Sequence, residues 1–188
     1  MYKILSPDSY QVTPWKNGKG ETVELAINPG GTLTDFQWRI SIATVSEDGV
    51  FSNFSGLRRD LFLIEGKGIS LTHDNEQTDV LDELLSVATF DGGSTTVGKL
   101  KAGTIKDLNL MTATGKYQVS TASLIAAQHY PLPSEDLCFV YSHEHDVVFR
   151  KGNSNVVLPQ GHLLQAENGL SGYAVTGKRL LIIQLKSV

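Results

Sequence analysis

Short runs of valine, isoleucine, threonine and aromatic residues alternate with turn signals along this chain of 188 residues. Runs of this kind between turns predict many β-strands, rather than strands that alternate with helices. The turn signals are the glycine-containing segments 28–31, 48–49, 65–68, 91–93, 114–115, 151–153, 168–169 and 176–177. Their regular recurrence is typical of a β-sandwich or a β-barrel.

Two segments refine this strand pattern. In 78–85 the apolar residues recur at i, i+1, i+4 and i+5 behind Thr78 as a cap, which predicts a short helix, with a loop crossing as the alternative. The run 179–185 is almost continuously apolar, which predicts a strand buried on both faces. The sequence therefore indicates an all-β protein with at most one or two short helices.

Composition narrows the classes of function. The 16 basic and 20 acidic residues are scattered, so no basic stripe is available for a nucleic acid. No apolar run approaches the roughly 20 residues of a membrane helix, and the N-terminal segment lacks the pattern of a secretion signal. The single cysteine, Cys138, lies in an apolar run and is expected to be a buried thiol. We therefore expect a cytoplasmic protein without disulfides that binds neither nucleic acid nor membrane.

The loop 15–22 is the first candidate binding element. Its glycines permit close backbone approach, and its amides can form an anion-binding nest to which Asn17 and Lys19 add donors. The alternative is a tight turn in which Trp15 is a hydrophobic plug.

Arg39 and Ser41 form the second candidate, together with the segment 51–59. Period-two geometry places them on one face of the strand 38–42, opposite the apolar residues. A guanidinium group matches a carboxylate bidentately, so this face suits a small organic acid. The alternative is that Arg39 pairs with a structural acid such as Glu24 or Asp107.

The segment 107–111 is the third candidate. If it is extended, Asp107, Asn109 and Met111 share one face, where the two polar residues can orient an arginine or accept from a ligand. A polar turn edge is the alternative.

His143 and His145 are the fourth candidate, since they would share a strand face and could hold a divalent ion. Two ligands are too few for a site, and Leu164 stands where the second cupin motif carries its metal-binding histidine. Exposed or hydrogen-bonded histidines are the alternative. Because no serine lies in a nucleophile elbow either, we predict no metal, no other cofactor and no catalytic residue.

In combination these segments resemble the HutD/Ves family of cupin-like proteins. The matching motifs are Trp15-Lys16-Asn17-Gly18 with Gly20 and Thr22, the segments 38–43 and 49–56 with Arg59, the segment 66–68, and Gly103 with 107–111. The resemblance is specific over residues 15–111 and rests on strand pattern beyond them. Lys19, Ser55 and Arg58 depart from the family pattern, which bears on the preferred ligand.

The resemblance implies a bicupin, in which two small jelly-roll-like β-barrels pack into one globule. We place the N-terminal half at residues 1–111 and the C-terminal half at 112–188. The resemblance also implies a link to histidine utilisation without an established catalytic activity. The polar positions that it marks as ligand-binding are Trp15, Asn17, Thr22, Arg39, Ser41, Ser52, Arg59, Asp107 and Asn109.

The leading hypothesis is that the chain is a non-enzymatic protein that binds a small carboxylate or has a regulatory role. In this hypothesis Arg39 is the anion anchor. Formate and N-formylglutamate are candidate ligands. The rival is a metal-dependent cupin oxygenase or isomerase that uses His143 and His145. A third hypothesis is a stabilising or interaction module, for which an exposed apolar patch is expected. The sequence leaves the oligomeric state open, with a homodimer among the outcomes.

Overall fold

The computed structural model describes residues 2–15, 20–132, 136–167 and 170–188. Within these residues the chain forms nineteen β-strands and one turn of 3-10 helix, Pro7–Ser9. The strands are β1 (Tyr2–Leu5), β2 (Gln11–Pro14), β3 (Gly20–Ile27), β4 (Trp38–Val45), β5 (Gly49–Val50), β6 (Leu57–Glu65), β7 (Ile69–His73), β8 (Gln77–Leu81), β9 (Val87–Asp91), β10 (Thr96–Leu100), β11 (Ile105–Ala113), β12 (Tyr117–Leu124), β13 (Gln128–Pro131), β14 (Leu137–Ser142), β15 (Val147–Lys151), β16 (Ser154–Leu158), β17 (Leu163–Glu167), β18 (Tyr173–Gly177) and β19 (Leu180–Ser187). The predicted all-β class is therefore confirmed.

The chain divides into two compact units. The first unit is Tyr10–Lys116, and the second unit combines Met1–Ser9 with Tyr117–Val188. The boundary predicted between residues 111 and 112 falls inside β11, because Thr112 still pairs with β4 and Ala113 with β6. The predicted N-terminal half also contained β1, which pairs with β17 of the second unit.

The first unit consists of two antiparallel sheets. One has six strands in the order β2-β3-β4-β11-β6-β9, and the other has four in the order β5-β10-β7-β8. Apolar side chains from both sheets form one buried cluster, to which β6 contributes Leu61 and Leu63 and β7 contributes Ile69 and Leu71. Burial of these side chains holds the two sheets together.

The second unit also consists of two antiparallel sheets. Their orders are β1-β17-β14-β19-β12 and β13-β18-β15-β16. The core includes Cys138 and Val140 of β14, Phe149 of β15 and Ile182 of β19. Every residue from 180 to 185 is buried, which confirms the prediction of a strand covered on both faces.

The two units share one strand order. The order β4-β11-β6-β9 in the first unit corresponds to β12-β19-β14-β17 in the second, and β5-β10-β7-β8 corresponds to β13-β18-β15-β16. The registers also agree, since β4 with β11 and β12 with β19 each form eight consecutive residue pairs. Each position on these strands therefore has a counterpart in the other unit.

The predicted helix over 78–85 is wrong. β8 occupies Gln77–Leu81 and pairs with β7 as an edge strand. A turn follows, in which the Ser86 amide donates to the Glu83 carbonyl at 3.1 Å, and Leu85 has a φ of 60°. That backbone conformation is left-handed and cannot continue a right-handed helix. No helix in the described part of the chain has the length and hydropathy to cross a membrane.

Candidate functional site in the first unit

A cavity of about 810 Å³ opens on the inner face of the six-stranded sheet. The structure brings seven of the nine predicted site residues to its wall: Trp15, Thr22, Arg39, Ser41, Ser52, Arg59 and Asn109. Asp107 lies buried on the same strand as Asn109. Asn17 lies outside the described residues.

Strand parity explains why these distant residues meet. Arg39 and Ser41 alternate on β4 with Trp38 and Ile40, so the polar pair faces the cavity while the apolar pair is buried on the opposite face. Met111 of β11 pairs with Arg39 on one side and with Arg59 of β6 on the other. The two arginines thus flank Met111, with their Cα atoms about 10 Å apart, or two strand spacings.

Arg39 pairs with a structural acid, as one alternative from the sequence predicted. Its Nε donates to Glu24 Oε2 at 2.7 Å, and the two side chains are 7% and 17% exposed. A register shift in β3 between Glu24 and Ala26 accompanies this pair. The partner is Glu24 rather than Asp107, and Arg39 still lines the cavity.

Arg59 is buried differently, among neutral groups. Its terminal nitrogens donate to the Ser52 carbonyl oxygen at 3.3 Å and to Asn109 Oδ1 at 2.8 Å. Its guanidinium carbon lies 5.6, 5.5 and 5.1 Å from the ring centres of Phe51, Phe54 and Phe90. Burial lowers the pKa of Arg59 to about 10, although the charge of Asp107 opposes this. Among the described residues, its buried Nε has no hydrogen-bond partner.

Asp107 is a buried carboxyl group connected to Arg59 through one amide. Asn109 Nδ2 donates to Asp107 Oδ1, while Asn109 Oδ1 accepts from Arg59. The other carboxyl oxygen, Oδ2, is buried and has no partner within the described residues. Burial raises the pKa of Asp107 to about 7, although Arg59 and Asn109 act in the opposite direction.

Trp15 closes one side of the cavity. Its indole Nε1 donates to Thr22 Oγ1 at 2.9 Å, and its backbone amide donates to the Gly20 carbonyl. A Cβ on Gly20 would collide with the Thr44 carbonyl oxygen and lie 3.0 Å from the Trp15 ring. The glycine therefore lets the indole lie against the strand.

Sequence reasoning missed the aromatic groups around Arg59. Phe51 and Phe54 lie in a motif segment that the sequence analysis noted, so their type and position were a usable signal. Phe90 is brought in by the pairing of β9 with β6, in which it stands opposite Arg59. Only the strand order reveals that neighbour.

His143 and His145 do not share a strand face. Both lie in the connection between β14 and β15, where His143 Nε2 is 3.6 Å from Glu144 Oε1. In the described ranges, no cluster of three or more histidine, cysteine or acidic side chains could hold a metal ion. Leu164 is fully buried in the core of the second unit. These residues give the rival hypothesis of a metal-dependent enzyme no support.

Cys138 lies in the core of the second unit, as predicted. Burial raises the pKa of its thiol to about 12. A thiol with so high a pKa is not a nucleophile near neutral pH.

The fold, with a polar cavity between sheets, defines a cupin-like β protein. The pirin YhhW from Escherichia coli has the same fold, with a TM-score of 0.67 over 100% of this chain and 99% to 100% of its own, at 7% to 8% identity. Within this class the chain belongs to the HutD family, whose model matches residues 7–182. The family predicted from the sequence is thus confirmed.

Individual relatives agree with this assignment. HutD from Pseudomonas fluorescens, whose structure was determined in a formate condition, has a TM-score of 0.84 and 28% identity, with 100% of both chains covered. An uncharacterised 21.2 kDa protein from the hutC 3' region of Pseudomonas putida is 37% identical over 62% of this chain and 60% of its own length. Protein Ves from Citrobacter koseri is 40% identical over 54% of this chain and 52% of its own. The chain thus spans only about half to three fifths of these two relatives.

Proposed function

We propose that the cavity of the first unit binds a small organic acid, and that the protein binds or regulates rather than catalyses. A role in histidine utilisation is part of this proposal. Its support is the membership of the HutD family and the similarity to a protein from a hutC region.

The observation that carries the proposal is the buried guanidinium group of Arg59 at the cavity wall. A buried charge is costly unless an opposite charge or hydrogen bonds compensate it. The hydrogen bonds of Arg59 within the described residues go to two neutral oxygens, and its pKa is lowered to about 10. A carboxylate in the cavity would add a negative charge in direct contact with Arg59 and accept charge-assisted hydrogen bonds.

Arg39 takes a different part from the anchor role that the sequence analysis predicted. Because Glu24 already compensates its charge, the pair Arg39–Glu24 adds little net attraction for an anion. Arg59 is therefore the anchor, and Arg39 supplies a second, oriented donor group two strands away. Ser41 and Thr22 add hydroxyl groups to the same wall.

The cavity volume sets the size of the acid. About 810 Å³ falls within the range of roughly 300–1,000 Å³ that is usual for small-molecule sites. Formate fits with ample room, and N-formylglutamate fits as a larger candidate. The aromatic rings around Arg59 suit a ligand that has an apolar part beside its carboxylate.

We also propose that each unit is a small jelly-roll-like barrel, which makes the chain a bicupin. The support is that both units have the same order of eight strands in two antiparallel sheets. Eight is also the strand number of a jelly roll. A cytoplasmic location and a homodimeric state remain predictions, which cell fractionation and sedimentation equilibrium can test.

Thermal unfolding with formate, N-formylglutamate, glutamate and urocanate tests the binding proposal. An acid at about a hundredfold its Kd should add about 2.7 kcal/mol, or roughly 5–10 °C in Tm. We expect the shift to disappear in Arg59→Gln and to shrink in Arg39→Ala.

Arg58→Gln is the matched control, because Arg58 neighbours Arg59 on β6 but pairs with Asp60 at 2.8 and 2.9 Å. It should keep the full shift. If Arg59→Gln shows the same Tm shift as the unmodified protein, Arg59 is not the group that anchors the acid. No shift with any acid, together with stabilisation by added zinc, would instead favour the metal-dependent rival.

A further inference from the structure

We propose that binding of an acid beside Arg59 is coupled to the uptake of a proton by Asp107, with Asn109 as the link between the two groups. Asp107 is then a positioning residue that makes the cavity pH-sensitive. This inference rests on the proposed function, because it assigns a regulation to the same cavity.

The hydrogen bonds give Asn109 a single orientation. Its Nδ2 donates to Asp107 Oδ1, and its Oδ1 accepts from Arg59 at 2.8 Å. An acid that accepts a hydrogen bond from Arg59 therefore acts on a group that the amide of Asn109 joins to the Asp107 carboxyl. Asp107 Oδ2 is buried without a partner among the described residues, so it can carry a proton without losing a hydrogen bond.

Arg39 and His73, two other titratable groups on the same side of the unit, already have acidic partners. Arg39 of β4 pairs with Glu24 of β3 at 2.7 Å. On the opposite sheet, His73 of β7 lies 3.2 Å from Asp79 of β8. The cavity rim carries Glu47 and Asp48. The charge that acts on Asp107 is instead that of Arg59, which lowers the pKa of the carboxyl group.

The sign of the coupling follows from Coulomb's law. The positive charge of Arg59 favours the ionised form of Asp107, whose pKa is about 7 in the free protein. A bound anion neutralises Arg59, so the pKa of Asp107 rises above 7 in the complex. Binding therefore takes up a proton, is strongest below pH 7, and weakens as the pH rises towards the pKa of the complex.

Isothermal titration of the whole protein with formate and with N-formylglutamate tests the coupling. Titrations at pH 7 in two buffers of different ionisation enthalpy should report the uptake of about 0.5 proton per site, since a group with a pKa near 7 is half protonated there. The affinity should fall about five- to tenfold between pH 6 and pH 8 if the pKa rises by one to two units.

Two variants separate this coupling from a general effect of charge. Asp107→Asn should bind the acid with no proton uptake and with a flat pH profile between pH 6 and pH 8. Asp60→Asn is the matched control: Asp60 is buried on the adjacent strand, but Arg58 and Thr89 satisfy it at 2.6–2.9 Å. It should retain the proton uptake of the unmodified protein.

The outcomes distinguish the two proposals. Binding of either acid without proton uptake overturns the coupling and leaves the carboxylate site intact. Absence of binding at every pH overturns the proposed function and the coupling with it. In the ligand-free protein, a carbon-13 NMR titration must place the ionisation of the Asp107 carboxyl near neutral pH. A value near 4 would overturn the coupling even if an acid binds.

Discussion

The first and second units use the same strand order to enclose different interiors. Position by position, Asp107 of β11 corresponds to Ile182 of β19, and Arg39 of β4 corresponds to Gln118 of β12. At these two positions the first unit has an ionisable group where the second has an aliphatic or a neutral polar side chain, whereas Met111 of β11 corresponds to the ionisable Lys186 of β19. The two strand pairs have the same register, but a register shift between Lys106 and Asp107 interrupts the pairing of β11 with β6, whereas β14 and β19 pair without a shift.

The cavities of the two units also differ in size. In the second unit, Gln118 and Ser120 with Gln184 and Lys186 line a cavity of about 250 Å³, against about 810 Å³ in the first. Beyond these residues, Ala122 packs against the core beside Ile182. One strand order therefore surrounds two cavities of different size, whose walls differ in the side chains at a few inward positions.

The most disruptive test moves the buried acid into the second unit. Ile182→Asp places a carboxyl group in a fully buried apolar cluster. We expect a loss of about 4 kcal/mol in the free energy of unfolding at pH 7, since an uncompensated buried charge is that costly. Urea unfolding measures it. Val157→Asp is the control, because its position is 52% exposed, and it should cost less than about 0.5 kcal/mol. Equal losses of stability in the two variants would show that the interior around Ile182 tolerates a carboxyl group.

A smaller effect is expected from the acid already in the first unit. The pKa of Asp107 is 3.8 ordinarily and about 7 when folded, so the folded state holds its proton more tightly. Its contribution to stability is complete below pH 3.8 and disappears as the pH rises through 7. Because this contribution is lost, the free energy of unfolding should fall by about 2–3 kcal/mol between pH 5 and pH 8.

Urea titrations of the unmodified protein and of Asp107→Asn at pH 5 and pH 8 isolate this term. The variant should lose stability less steeply as the pH rises. Parallel pH profiles would mean that Asp107 is ionised throughout that range.

The next effect should be confined to the second unit. Tyr2 of β1 packs edge-on against Phe149, with ring centres 5.0 Å apart, and Phe149 stacks on Tyr173 at 4.6 Å. Tyr2→Ala should therefore cost about 2 kcal/mol in that unit. The chain has two tryptophans, both in the first unit, and its one cysteine is in the second.

These probes separate the units without labelling. In Tyr2→Ala, the Cys138 thiol should react with a disulfide reagent at lower urea concentrations than in the unmodified protein. The urea concentration at which tryptophan fluorescence changes should be the same in the variant as in the unmodified protein. An equal displacement of both transitions would show that the two units unfold together.

The smallest effect is expected for a surface charge of the first unit. Lys101 and Asp82 approach to 3.1 Å, but their side chains are 59% and 45% exposed. Lys101→Ala should change the free energy of unfolding by less than about 0.5 kcal/mol, because solvent screens such pairs. A loss above 1 kcal/mol would show that this surface charge, unlike most, is coupled to the interior.

Local patterns in the sequence were sufficient for the class of fold and for much of the cavity wall. Alternation alone places Arg39 and Ser41 on one face of β4, and Asp107 with Asn109 on one face of β11. Pairing between strands was out of reach, because it depends on residues far apart in the chain. That is why Phe90 was missed, and why the partner of Arg39 was left open between Glu24 and Asp107.

Edge strands also misled the sequence analysis. The residues of β8 have a helix-like apolar spacing, but hydrogen bonds to β7 decide their conformation. The predicted domain boundary followed the last motif residue, Met111, whereas β11 continues to Ala113. Some counterpart residues are identical, such as Ser41 and Ser120, but others differ in type, such as Asp107 and Ile182, so the repeat of the two units shows no clear period in the sequence.

The pairing of β1 with β17 affects the order of events during synthesis. Residues 2–5 leave the ribosome about 160 residues before their partner strand, residues 163–167. At roughly 5–20 residues per second, β1 waits about 8–32 s for its partner. The first unit, whose residues are continuous, can fold in that interval, whereas Tyr2 and Ile4 stay without their core. Until its partner strand emerges, β1 is an unpaired strand of the nascent chain, the kind of segment on which chaperones act.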